Sequence, residues 1–507
     1  MIMDGLFIYP NNDHSLLKTR IRLMKIWINS ILAVIVTVVL AASASTQETT
    51  WDELKNSISS LYRAGNYEEA IKIADMALKL AEKKNGPEHP DVALSLNSLA
   101  ELYFSTGDYD KAENLYQRTL VIDEKVFGKE HPVVAIDLNN LGYIFFSQGK
   151  LDKAESLYTR ALVIDENVLD KEKSLLVATD LDNLGGLYLE QEKFDDAEIF
   201  FNRAFTIRKK AMGENHRDVA LSLNNLAGLY HSRQQEAKAE TLFKQALAMC
   251  IAALGKEHPD TAMAQSNLAI FYTSQEKYSQ AELLYKQALV TDTSALGEEH
   301  PDIATDLTNL AEVYVAQNKY TAAEPLFKKA LAIREKTLAK DHPDTALSLN
   351  NLSNLYFAQK KYSLAEPLCK RALQIDEKVL GKDHPDVATN LSNLAELYYL
   401  EEKFNEAESL GKQAMLINIK VFGENNPTSA MDMNMLGKVY VQQKKYPEAE
   451  ALLKQALSTL EETNGSDNPD VVSVLENMAT LYHKTGQEEL AKSMQIRAKN
   501  IRNTNFN

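Results

Sequence analysis

Asparagine is the residue type whose spacing in this chain first suggests chemistry. Asn140, Asn183, Asn225, Asn267, Asn309, Asn351 and Asn393 recur every 42 or 43 residues, and Asn477 continues the column. Each directly precedes a leucine or a methionine. A carboxamide carries two donors and an acceptor. A ladder of them can pair with the N–H and C=O groups of an extended peptide without reading its side chains. The other reading is that each asparagine bonds a neighbouring helix and holds a stack in shape, and the two roles are compatible.

Histidine recurs in the same way. Seven of the ten histidines (His89, His131, His216, His258, His300, His342 and His384) stand at one point of the repeat. They lie too far apart to share a metal, so they read as structure. Among motifs that carry catalysis, no GxSxG, glycine-rich phosphate loop, HExxH or CxxC occurs. Carboxylates such as Glu113, Glu155 and Glu282 repeat identically and read as solvated or salt-bridging faces. Cys250 and Cys369 fall in helical segments nearly three periods apart. A disulfide needs Cα atoms within about 7 Å, so both read as small core residues. The expectation is therefore a chain with no catalytic centre, no metal and no cofactor.

The elements that must position the asparagines follow from one unit, HPDVALSLNSLAELYFSTGDYDKAENLYQRTLVIDEKVFGKE from His89. Similar units begin at each turn histidine, one has Ser174 in the histidine place, and degenerate units start at Asn426 and Asn468. An amino-terminal unit covers residues 51–86. A fixed period of 20 to 50 residues marks a solenoid, here of about eleven helical hairpins. Each unit predicts two helices. The first begins at the proline, which suits the opening helical turn, and the next aspartate sets negative charge at the positive end of the helix. Leu96, Leu99, Leu102 and Tyr103 recur at helical spacing. A turn at residues 106–108 leads into a second helix over about residues 109–126, roughly 27 Å long.

Small residues stand where helices must approach closely: Ala100, Ala227, Ala269, Ala311 and Ala395 in the first helix, and a column from Ala112 to Ala449 in the second. Four residues after the latter come Tyr116, Tyr158, Phe201, Phe243, Tyr285 and Phe327, which read as core between hairpins.

The HPDVA and HPDTA starts, LNNLA at Leu223, GKLDKAESLYTRAL from Gly149 and KYSQAELLYKQAL from Lys277 resemble the tetratricopeptide repeat. The variety they resemble is the 42-residue form of kinesin light chains and their bacterial relatives. The resemblance covers about nine-tenths of the chain. It implies an all-α fold, an α-α superhelix in a single solenoid over residues 51–503, whose first helices line a concave surface. In the resembled family asparagines at the ladder position contact cargo peptide. The resemblance thus implies that Asn140, Asn183, Asn225, Asn267, Asn309, Asn351 and Asn393 are peptide-binding. Kinesin light chains carry a heptad coiled coil before their repeats. This chain has none there, so only the binding mode transfers.

Specificity should come from the columns that vary. Three residues after the ladder stand Tyr143, Gly186, Gly228, Ile270, Glu312, Asn354 and Glu396. Three or four residues further on stand Phe104, Phe146, His231, Phe357 and Tyr399. Aromatics beside Gly186 and Gly228 could form pockets for peptide anchors.

The formal net charge is −16. So acidic a surface repels phosphate backbones and excludes nucleic acid, and it favours neutral or basic protein partners. Lys18, Arg20, Arg22 and Lys25 precede an apolar run ending near Ala42, and Ala42-Ser43-Ala44 fits a cleavage pattern. Residues 1–44 therefore read as a signal peptide, with Met24 a plausible true start, or as an uncleaved membrane anchor. In either case the repeats would lie outside the cytoplasm, exported to a periplasm or secreted. The sequence thus predicts a monomeric adaptor that binds extended segments of partner proteins. The alternative is a membrane-tethered scaffold for envelope assembly.

Overall fold

The computed structural model describes residues 51–338 and 341–505. The export segment expected over residues 1–44 lies outside them. Among the described residues there are twenty-two helices and no strand, paired into eleven hairpins from Trp51–Arg63 and Tyr67–Asn85 to Pro469–Lys484 and Glu488–Asn505. No described helix is long and apolar enough to cross a membrane. The chain divides into two compact units, Met1–Ala339 and Lys340–Asn507. The first holds hairpins one to seven and the second hairpins eight to eleven.

Each first helix opens in the manner its sequence dictates. His89 sits in extended backbone (φ −88°, ψ 148°) with Pro90 as the first helical residue, and its Nδ1 accepts the Asp91 N–H at 3.2 Å. The same bond recurs at His131, His216, His258, His300, His342 and His384. At Asn426 and Asn468 an Oδ1 does the same work at 2.9 and 2.7 Å. The recurring histidine is therefore a helix cap, and asparagine replaces it because it presents an acceptor at a similar reach. Most second helices end on a glycine with φ near +85° to +90°, such as Gly128 and Gly213, whose N–H closes on the carbonyl four residues back.

Packing between the paired helices depends on matched volumes. Ala112, Ala154, Ala197, Ala239 and Ala281 in the second helices are wholly buried. In the first helices the small position faces the aromatic column. A Cβ on Gly142 would lie 2.7 Å from the Tyr158 ring, and one on Gly185 would lie 2.7 Å from Phe201. Where the large residue shrinks, its partner can grow: Cys369 faces Ser353, with Sγ and Oγ 2.9 Å apart. Cys250 and Cys369 are both free and buried, as core residues should be.

Within each unit, several successive hairpins are joined by a polar clamp on the second helix. Glu155 accepts from Tyr188 at 3.0 Å, and Glu282 accepts from Lys286 at 2.6 Å and from Lys319 of the next hairpin at 3.1 Å. These lysines hold the Glu282 carboxyl below its ordinary range against the upward push of burial. Glu282 is thus a salt-bridging group, while Glu155 is held by the neutral donors Tyr188 and Gln191. Successive first helices also touch directly, as residues 175–190 do with 217–232 and 217–232 with 259–274. Within each unit, first helices therefore form the inner wall of the stack and second helices its outside.

One contact reaches beyond nearest neighbours. In the first unit a Cβ on Gly65 would lie 2.6 Å from Pro301 Cδ, and Leu338 belongs to the buried cluster that contains Leu54, Ile58 and Leu96. The first hairpin is therefore packed against the seventh.

Candidate ligand face and the inner polar column

The ladder lies, in each unit, on the inner wall formed by that unit's first helices. None of its seven members from Asn140 to Asn393 is exposed; Asn140, Asn267 and Asn351 are buried and the others half-buried. Part of the ladder is engaged within the stack. Asn140 Nδ2 donates to Asn97 Oδ1 at 3.0 Å, Asn183 Nδ2 to Asn139 Oδ1 at 3.1 Å, and Asn477 Nδ2 to Asn434 Oδ1 at 2.8 Å. Each bond runs from the ladder residue of one hairpin to the preceding column of the hairpin before. Asn225 turns its amide on Asp182 in the same sense.

At the joint between hairpins five and six this pattern stops. Asn224 leaves both Nδ2 and Oδ1 without a partner, Asn267 leaves Nδ2, and Ser266 leaves Oγ. All three residues are at least 94% buried.

Beneath the ladder runs a second column, from the last turns of each second helix to the next first helix. It was not foreseen in the sequence reading. Asp123 faces Asp137, and Asp165 faces Asp180. Burial pushes Asp123 up to about 6 and Asp165 up to about 7. It carries Asp137 and Asp180 well above the carboxylate range, helped by the facing carboxylate. Each pair therefore shares a proton. Asn139 Nδ2 ties Asp180 to the ladder at 2.6 Å. In the next joint Arg208, among the largest fully buried side chains, pairs with Asp182 at 2.5 Å and donates to Ser222 Oγ at 2.6 Å. In the second unit Asn390 donates to Asp376 at 2.7 Å, and Asn418 and Ser392 both donate to Asp432 at 2.6 Å. The signal in the sequence was polar identity at one repeat position (Asp123, Asp165, Arg208, Asp292, Asp376, Asn418), inside an otherwise apolar stripe.

The variable column divides sharply. Tyr143 and Phe104 are buried with ring centroids 5.0 Å apart, and Phe146 is buried beside them. These three belong to the core and do not line a pocket, because the third hairpin packs its aromatic inner residues against the second. Gly186 and Gly228 differ: a Cβ on either would meet nothing within 4 Å. A mid-helix glycine costs roughly 0.5–1 kcal/mol relative to alanine. At Gly142 and Gly185 the close approach of Tyr158 and Phe201 explains that cost, whereas at Gly186 and Gly228 no neighbour does.

Among the described residues no group of histidine, cysteine or carboxylate side chains could hold a metal ion. Stacked two-helix hairpins with a capped first helix, small-for-large matching and a polar inner face define a helical-repeat solenoid. Sequence comparison then identifies which kind. The family description "Tetratricopeptide repeat" matches overlapping stretches from residues 54–125 and 98–167 through to 387–462 and 427–504, and the chain belongs to that family. It is an all-α protein-interaction repeat scaffold.

No curated protein matches it in sequence. Among solved structures it is similar to a putative kinesin light chain of Podosopora anserina with nearly identical TPR-like repeats (28% identity, 40% of this chain and 97% of that chain, TM-score 0.37). It is also similar to BtubC (BKLC) from P. vanneervenii (23%, 46% and 91%, TM-score 0.38). The apo form of RapI shares the fold over a longer stretch (17% identity, 73% of this chain and 98% of that chain, TM-score 0.52).

Proposed function

We propose that this chain is a binding adaptor that holds extended segments of partner proteins on the inner, concave face of its repeats. The observation that carries the reading is the carboxamide column Asn140 to Asn393. It recurs in seven consecutive first helices, five in the first unit and two in the second, at the same repeat position. A peptide group offers one N–H and one C=O, and a carboxamide answers both. The charge of −16 favours partners that are neutral or basic. The amino-terminal basic, apolar and small-residue sequence supports export, so we place the repeats outside the cytoplasm.

The test is affinity capture from an extracytoplasmic fraction, comparing the wild type with a triple Asn267→Ala, Asn309→Ala, Asn351→Ala variant of equal helicity. Specific partners should vanish with the triple change. Partners that persist would make the ladder purely structural and move the binding surface elsewhere.

A further inference from the structure

In every hairpin the residue two places before the second helix holds a positive φ. In seven hairpins it is not glycine, with φ from 55° at Glu276 to 63° at Lys444. The turn therefore accepts a side chain at that position. At Gly65 (φ 69°) the constraint is space, not backbone. A Cβ there would lie 2.6 Å from Pro301 Cδ and 3.5 Å from His300 Cδ2. At Gly149 and Gly486, the same position in hairpins three and eleven, a Cβ would meet nothing within 4 Å. Gly65 thus marks a close approach of the hairpin-one turn to the start of hairpin seven, inside the first unit.

Two more residues record the same seam. Tyr67 is 7% exposed, whereas Tyr109, Tyr278 and Tyr320 at its repeat position are half-buried. The His300 side chain is 8% exposed, whereas those of His89 and His258 stand at 44% and 37%. Leu338, at the end of hairpin seven, shares a buried cluster with Tyr67 and Leu54. The seam therefore joins two loop edges through a tyrosine, a proline and a leucine. A sequential joint instead packs whole helix faces together, as hairpins two to four do. Local opening starts where the fewest apolar contacts are buried. Among the described residues hairpin one packs in sequence on hairpin two alone, so it can swing from hairpin seven by bending one joint.

Behind the seam lies the inner wall. The first helices of hairpins two to five contain no exposed residue. We propose that the turn of hairpin one is a latch. It closes the first unit against the start of hairpin seven, and its release opens the inner wall. The latch goes beyond the adaptor reading, which names a surface and not how a partner reaches it. It rests on that reading only for what is admitted. It also reconciles a ligand face on the inner wall with carboxamides that are buried or half-buried in the closed chain.

The test reads access to the inner wall of the full chain with a thiol. Gly186→Cys puts a reactive group on the inner wall of hairpin four, where a Cβ has room; the native Cys250 and Cys369 are buried. That background and three variants of it are alkylated with N-ethylmaleimide and with a maleimide carrying a long polyethylene glycol chain, at equal helicity by circular dichroism. In the background the polymer reagent should lag far behind the small one. Gly65→Gln adds the side chain that hairpin five carries in the same conformation (Gln234, φ 59°). It should raise the polymer rate, relative to the small reagent's, roughly tenfold. Leu338→Ala thins the seam without touching the turn and should raise the rate less. Gly149→Gln makes the same exchange at a turn with open space and should leave the rate unchanged. Polymer rates unchanged in both Gly65→Gln and Leu338→Ala would overturn the latch. So would a polymer reagent that already keeps pace in the background, or an equal gain from Gly149→Gln. No readout involves a partner, so the latch can fail while the adaptor reading stands, and a capture experiment without partners would leave the latch standing.

Discussion

Two neighbouring joints of the first unit are built on the same repeat positions and differ in what they bury. Between hairpins four and five, Arg208 reaches Asp182 and Ser222, and Asn225 faces the same carboxylate. Between hairpins five and six the corresponding residues are Cys250, Asn224, Ala264 and Asn267. Cys250 sits in an apolar cluster with Ala220, Leu223, Ala246 and Ala264. A thiol is a weak hydrogen-bonding group, and burial raises its pKa to about 11, so it stays protonated. The polar network is therefore interrupted at Cys250, and it resumes further along the chain, as where Arg334 donates to Thr305 and Asn390 donates to Asp376. The apolar skeleton is the same in both joints. The stack needs matched volumes to form, while the polar column can brace one joint and be replaced by apolar packing in the next.

The largest expected effect breaks the braced joint. Arg208→Met leaves the Asp182 carboxylate buried without its counter-charge. That should cost about 3–5 kcal/mol in denaturant unfolding. The double variant Arg208→Met, Asp182→Leu should regain most of the loss, because exchanging a buried pair for apolar groups is often neutral. Cys250→Ala, at the same repeat position one hairpin on, removes only a small apolar group. Equal losses from Arg208→Met and Cys250→Ala would show that the two joints do not differ in kind.

Much of this fold was legible in the sequence, and for a definite reason. The 42-residue period repeats the positions of Pro90, Ala100, Ala112 and Tyr116, mostly with similar residues, and each position has one job set by sterics: a start, two close approaches and a filler. The turn histidines were rightly read as structural, though their role as caps became clear only from Nδ1 facing the Asp91 N–H. What the sequence could not show was direction around the helix axis to within a few tens of degrees. Phe104, Phe146 and Tyr143 were expected in variable columns that set specificity and are buried in the core, and Asp123, Asp165 and Arg208 face inward although such residues are mostly exposed. The contact of Gly65 with Pro301 was likewise invisible, because it depends on accumulated superhelical rotation and not on any local signal.

A second, intermediate effect separates the proton-sharing joints from the thiol joint by pH. Asp123 and Asp137, and Asp165 and Asp180, hold protons in the folded chain that ordinary carboxylates release near pH 3.8. Their folded values are raised. Their stabilisation is therefore complete below about pH 4 and is lost as pH rises through the folded values, about 6 for Asp123 and about 7 for Asp165. Each proton retained contributes a slope of at most about 1.4 kcal/mol per pH unit. The melting temperature should accordingly fall between pH 5 and pH 8. Asp137→Asn with Asp180→Asn should flatten that fall, because an amide can donate to the facing carboxylate without a titrating proton. An unchanged profile in the double variant would show that the pairs do not share protons.

The smallest effect bears most directly on the comparison. Asn183→Ala removes the donor to Asn139 Oδ1 and should destabilise by about 1 kcal/mol, the ordinary net worth of one buried hydrogen bond. Asn267→Ala, at the same repeat position, deletes an amide whose Nδ2 has no partner. Removing a buried polar group that makes no bond relieves a desolvation cost, so this variant should be neutral or slightly more stable than the wild type. The pair can be read in a single chemical-denaturation series, since both changes remove the same atoms from the same helical position. If the stability loss appears at Asn267 instead, its carboxamide is spent inside the stack and the two joints are braced alike. If it appears only at Asn183, the amide at 267 makes no bond on which the fold relies, and the two joints differ in kind.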